Sequence, residues 1–314
     1  MFRNLLSAVG ALCLVAIAPA QGPDPIGLIH PAAQPLSAVP VLSVPQIDRA
    51  ALDLEDEQRA QNGAPARYAV PFAVTASPRT HGLWEELDET FSLWRLRVHA
   101  PDSSHVNLGF AALRLPPRAR LMLHALDHSH VLRPFDAADH TPTGDFWSPV
   151  VMTEQIVVEV YVPTEQRANV VADLVHVGAG YRFFGAGPRA IGLDGSGSCQ
   201  VDVACPQGAA WVAEIPAVAA LSSGGSIFCT GFMVNNTAQD ARNYFMTAHH
   251  CGVTAGVASS LVVYWNYENT TCNGTGAGFS QFNLGASLRS TWSTSDFTLL
   301  ELFQAPNPSW GISY

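Results

Sequence analysis

The 314-residue chain contains no lysine: all 16 basic positions are arginine, against 26 acidic ones, and the formal net charge is −10. Codon preference for arginine is the plain reading of the missing lysine. Without a cluster of cations to neutralise phosphates, a nucleic-acid partner is excluded on electrostatic grounds. Phosphate-cradling glycine loops, heptad repeats and apolar runs long enough to span a bilayer comfortably are also missing. Charged residues make up only 13% of the chain and hydrophobic ones 48%, the balance of a folded chain with a sizeable core. Between Cys13 and Cys199 there is no cysteine, so any disulfide framework belongs to the last third.

The N-terminus has the order of a secretory signal over residues 1–20: Arg3, an apolar segment from Leu5 to Ile17, then Ala18-Pro19-Ala20. Export follows, with Gln21 as the first mature residue, Cys13 discarded and no membrane attachment after signal removal. The remaining cysteines, Cys199, Cys205, Cys229, Cys251 and Cys272, belong in disulfides in an exported protein, and their odd number leaves one over. Residues 21–63 form a Pro/Ala-rich leader with a short helix at 47–61, capped by Asp48 and ended by Asn62-Gly63. Residues 64–184 then switch to period two, with strands expected at 68–75, 92–100, 105–115, 120–125, 155–162 and 173–184. Short strands separated by Pro, Gly and Asp turns point to a β-sandwich. Glycine-rich residues 185–198 make an exposed processing linker, and residues 199–314 a second module.

That second module holds the chemistry. Tyr244-Phe245-Met246-Thr247 is an apolar run ending in Ala248-His249-His250-Cys251, and Ser295-Asp296 opens another run to Leu302. A histidine before an aspartate is the chain order of an acyl-transfer triad whose serine comes last. His250 is the candidate general base, and Asp296 the candidate carboxylate that orients it. The bland alternatives are a surface histidine beside a structural disulfide and a turn aspartate. His249 should face away from His250 if the segment is extended, and Asp240 precedes the histidine. Ser198 and Ser226 are flanked by glycines but lack a Gly-Asp-Ser-Gly setting, so neither reads as the nucleophile. Ligation of zinc by His249, His250, Cys251 and Cys205 has poor geometry and no usual ligand spacing. No cofactor or metal is expected.

The runs Ser196-Gly197-Ser198-Cys199, Val201 to Pro206, Cys229-Thr230-Gly231, Val234-Asn235-Asn236-Thr237, Tyr244 to Cys251, Val262 to Tyr267 and Ser295 to Leu302 resemble the bacterial lysyl endopeptidases. Trp94-Arg95-Leu96-Arg97, Leu115-Pro116-Pro117 and Phe146 to Val151 are similar to the pro-region of such secreted proteases. The resemblance implies an all-β protein: a sandwich-like pro-domain, then the first β-barrel of a chymotrypsin-type two-barrel protease. It also implies disulfides Cys229–Cys251 and Cys205–Cys272, with Cys199 pairing a cysteine absent from this chain. The serine, oxyanion hole and specificity pocket belong to the second barrel, so the chain is expected to stop short of its nucleophile. The expected protein is a secreted serine endopeptidase precursor acting on proteins or peptides after lysine. Its pro-domain assists folding and blocks the cleft. The family's usual lysine at the maturation point is missing here, leaving Arg189 or another protease for processing. An alternative is an inactive secreted β-domain or binding module, if the natural protein ends at Tyr314. Half a protease domain should also leave Leu299, Leu300 and Leu302 on an apolar patch.

Overall fold

A computed structural model describes residues 23–184, 190–191, 201–274 and 278–313. The signal segment, most of the glycine-rich link, Ser198 and Cys199 lie outside the described residues. The first module runs α1 (Ile26–Ile29), β1 (Val41–Ser43), α2 (Arg49–Gln61), β2 (Ala69–Ala76), β3 (Leu83–Glu86) and β4 (Phe91–His99). It continues through β5 (His105–Arg114), β6 (Arg120–Ala125), β7 (Phe146–Trp147), β8 (Gln155–Pro163) and β9 (Val171–Gly180). One sheet has the order β1-β4-β8-β6, with β3 also on β4; the other is β2-β9-β5-β7. Leu96, Leu121, Leu123, Val158 and Val160 from the first meet Val106, Leu108, Phe110, Leu174 and Val177 from the second in one core. Alternating side chains have thus produced a sandwich. Asp48 caps α2 by accepting the Ala51 N–H at 3.1 Å.

The Pro/Ala-rich leader is built into this sandwich rather than left as a connector. Strand β4 alternates as a half-exposed strand should, yet Arg95 on its polar face is fully buried. Its guanidinium pairs bidentately with Glu85, at 2.7 and 2.8 Å, a strong charge-assisted arrangement. The leader closes over that face through its backbone. Gly27 N–H donates to Glu159 at 3.1 Å, Gln34 N–H donates to Glu85 at 2.6 Å, and β1 pairs in parallel with β4. Local sequence carries no sign of this, because the leader's partners are charged side chains on strands far along the chain.

After the two-residue parallel pair β10 (Phe183–Phe184) and β11 (Ala190–Ile191), the second module forms β12 (Val218–Ser223), β13 (Ile227–Met233), β14 (Tyr244–Thr247) and β15 (Val262–Trp265). β16 (Phe282–Leu284), β17 (Ala286–Trp292) and β18 (Phe297–Leu302) complete it. The order is β16-β15-β12-β13-β14-β18-β17, so the two end strands are consecutive in sequence and the sheet curls back on itself. Gly285 turns that corner at φ +69°, where a Cβ would lie 2.5 Å from the Phe303 ring. Inside sit Leu221, Met233, Phe245, Val263, Trp265, Leu300 and Leu302. The chain is all-β in character, and this small barrel is of the chymotrypsin type.

Leu300 and Leu302 are therefore barrel core, 0% and 3% exposed, rather than an exposed patch, while Leu299, on the opposite face of the strand, is half-buried. Period two sends alternate residues inward, which the apolar run Leu299-Leu300 obscures. The outer face of β12, β15 and β16 meets the sandwich instead: Ala220, Val262, Tyr264, Phe282 and Leu284 share its core. Hydrogen bonds cross the same junction, from Tyr68 N–H to Ser226 O (2.9 Å), Phe228 N–H to Ala66 O (2.9 Å) and Val150 N–H to Tyr264 Oη (3.1 Å). Tyr68 Oη and Ser222 Oγ are 2.6 Å apart, both buried.

Candidate active site

Strand β14 delivers the histidine. Beyond Thr247 the chain makes one 3₁₀ turn, His249–Cys251, closed by Gly252 at φ +72°, a left-handed cap suited to glycine. Cys251 is buried and disulfide-bonded to Cys229 on the neighbouring β13, which anchors the turn. Cys205 pairs with Cys272. The segment is a turn rather than an extended strand, so His249 and His250 do not simply face opposite ways.

Asp296 ends the tight turn between β17 and β18, at φ +49°, a left-handed conformation that Asp tolerates better than most residues. From there both its oxygens reach His250. Oδ1 accepts the His250 backbone N–H at 2.9 Å, and Oδ2 lies 2.7 Å from Nδ1. A carboxylate so close to Nδ1 places the imidazole hydrogen on that nitrogen and leaves the lone pair on Nε2, the form a general base needs. The Asp296 carboxyl is held below the usual carboxylate range, chiefly by the His250 backbone N–H and then by its side chain. The carboxylate is about half exposed, unlike the largely buried one that an orienting role leads one to expect: the Asp296 and His250 side chains are 51% and 55% accessible. The turn carrying Asp296 lies between β17 and β18, whereas the sandwich contacts named above lie on β12, the start of β13, β15 and β16.

Three threonines that the sequence motifs did not single out as functional lie on the strands that carry this pair. Thr247, Thr298 and Thr291 face one another across β14, β18 and β17. Thr291 Oγ1 is 2.7 Å from Thr298 Oγ1 and 2.8 Å from His249 Nδ1. Counting outward from the Asp296 turn pairs Thr291 with Thr298, and that is the signal in the sequence that finds them.

Other candidates fall elsewhere. Asp240 accepts from Asn236 Nδ2 at 2.8 Å in an exposed loop. Ser226 sits in the β12–β13 hairpin turn, after Gly224 and Gly225 at φ +55° and +64°, with its carbonyl taken by Tyr68. Cys229, His250 and Cys251 offer ligand atoms within 4.8 Å of one another, but both sulfurs are spent in the disulfide, so no thiolate is available for a metal.

Comparison with known proteins agrees with this geometry. Residues 193–314 match the family described as the lysyl endopeptidase C-terminal domain, and residues 41–174 match the lysyl endopeptidase N-terminal domain. The lysyl endopeptidase of Pseudomonas aeruginosa is 27% identical over 258 residues, covering 70% of this chain and 53% of that protein. The chain thus spans about half the length of that relative. With two family matches, one on the sandwich and one on the barrel that carries the His250–Asp296 pair, the chain belongs to the lysyl endopeptidase family.

Proposed function

We propose that this chain is the signal, pro-domain and first protease barrel of a secreted serine endopeptidase that cleaves after lysine. The observation that carries the reading is the 2.7 Å contact between His250 Nδ1 and Asp296 Oδ2, with the His250 main chain bound to the same carboxylate. The family match and the two disulfides support export and proteolysis. In this reading Cys199, outside the described residues, pairs with a cysteine of the second barrel, and maturation falls in residues 185–198.

The reaction is acyl transfer. A serine of the second barrel attacks the scissile carbonyl carbon as its Oγ proton passes to His250 Nε2. Asp296 stabilises the imidazolium through Nδ1–H. The same proton then goes to the departing amine as the C–N bond breaks. A water molecule repeats the cycle, giving its proton to Nε2 and releasing the serine. Proteins and peptides are the substrates, and the sandwich is the barrel's folding partner within the precursor.

The test is active-site labelling of the natural protein with a fluorophosphonate, alongside hydrolysis of lysyl and arginyl amide substrates. One label per chain and preference for lysine are expected. His250→Ala should lower kcat by about 10⁶ and Asp296→Asn by about 10⁴. A natural protein that takes no label, or an undiminished His250→Ala variant, would overturn the reading in favour of a secreted binding module.

A further inference from the structure

Asp296 sits in a left-handed conformation, which a non-glycine residue keeps only where its surroundings hold it. The turn's own support is slight: within it, Asp296 N–H donates to Ser293 O at 3.2 Å. The two strands leaving the turn are tied by Thr291 and Thr298, directly opposite each other, with Oγ1 atoms 2.7 Å apart. Thr291 Oγ1 also reaches Phe297 O, next to Asp296, at 3.2 Å. On the other side Thr298 is opposite Thr247, whose hydroxyl donates to Thr230 O at 2.7 Å. Thr298 is fully buried and Thr247 is 4% exposed, so this ladder lies inside the rim. His249 closes it from outside, its Nδ1 2.8 Å from Thr291 Oγ1. One short turn therefore grips the Asp296 hairpin twice, through His250 on the carboxylate and through His249 on the threonine ladder.

We propose that His249 is a positioning residue. By holding Thr291 it fixes the β17–β18 hairpin so that Asp296 meets His250 Nδ1. The role rests on the reading of His250 and Asp296 as the catalytic pair, but it concerns a separate contact. Without the His249 grip, the exposed hairpin tip shifts among conformers and the carboxylate is shared with water.

Nuclear magnetic resonance of this chain tests it through two signals. One is the downfield proton on His250 Nδ1, and the other is the Asp296 side-chain carboxyl followed through its titration. His249→Ala and Thr291→Val should each lose the downfield proton and move the Asp296 midpoint up towards the ordinary carboxylate value. His249→Gln, which keeps a hydrogen-bonding end near Thr291, should restore both. Amide spectra report whether each variant keeps the barrel, and Thr291→Val leaves both histidines in place if His249→Ala does not fold. Loss of both signals with recovery in His249→Gln supports the role. A downfield proton present in the wild type and unchanged in His249→Ala and Thr291→Val overturns it while leaving the catalytic pair standing. Absence of that proton in the wild type overturns the pair and the positioning role together.

Discussion

Removing the disulfide behind His250 measures whether the sandwich and barrel are one cooperative unit. The variant replaces both Cys229 and Cys251 by alanine. The bond joins residues 22 apart in sequence. Loop-closure entropy for that length restricts the unfolded chain by about 11 cal/mol/K, worth about 3.4 kcal/mol at 25 °C. The fall in Tm depends on how much of the chain unfolds together. At roughly 2.1 cal/mol/K per residue, 314 residues give an unfolding entropy of about 0.66 kcal/mol/K and a fall of about 5 °C. A barrel of roughly 110 residues unfolding alone gives a fall of about 15 °C. The shared core of Tyr264, Phe282 and Leu284 with the sandwich, and the strand-like bonds of Tyr68 and Phe228 across the junction, favour one unit. Differential scanning calorimetry of the oxidised protein and the double variant should show a single transition moved by about 5 °C. Two transitions, or a lone one displaced by about 15 °C, would refute the continuity of the core across the junction.

The junction also supports a point test. Tyr68→Phe strips the buried hydroxyl shared by Ser222 and Asn107 and should destabilise by about 1–3 kcal/mol in urea. Adding Ser222→Ala should recover part of that loss, and strict additivity of the two changes would contradict direct coupling. Acid sensitivity has a source beside it. His105, buried against the Tyr68 ring at 5.4 Å between centroids, has its pKa pushed down to about 3 by desolvation. The unfolded chain takes up this proton near pH 6.5 and the folded one only near pH 3. Protonation therefore favours unfolding, and the contribution is complete above pH 6.5 and lost as pH falls through that window. A His105→Gln variant should show a flatter stability profile between pH 6.5 and 3 in urea titrations, and an unchanged slope would show that other groups carry it.

Period-two alternation made the sandwich strands legible, and 120–125 appears at the residues expected. Asp48 marked the helix start because N-capping is local. Chain order nominated His250 and Asp296, and the long motifs named the family, since those features lie along the sequence itself. Other properties depend on residues that meet only after folding. Arg95 reads as the polar side of an alternating strand, yet a leader more than 60 residues upstream and Glu85 bury it. The His249 turn could not be told from an extended segment, because its shape depends on a disulfide to β13. The Asp296 exposure, the threonine ladder beside it and the sandwich covering the outer barrel face are likewise tertiary. They depend on curling a seven-strand sheet into a barrel, and no local pattern encodes which distant residue that closure brings near.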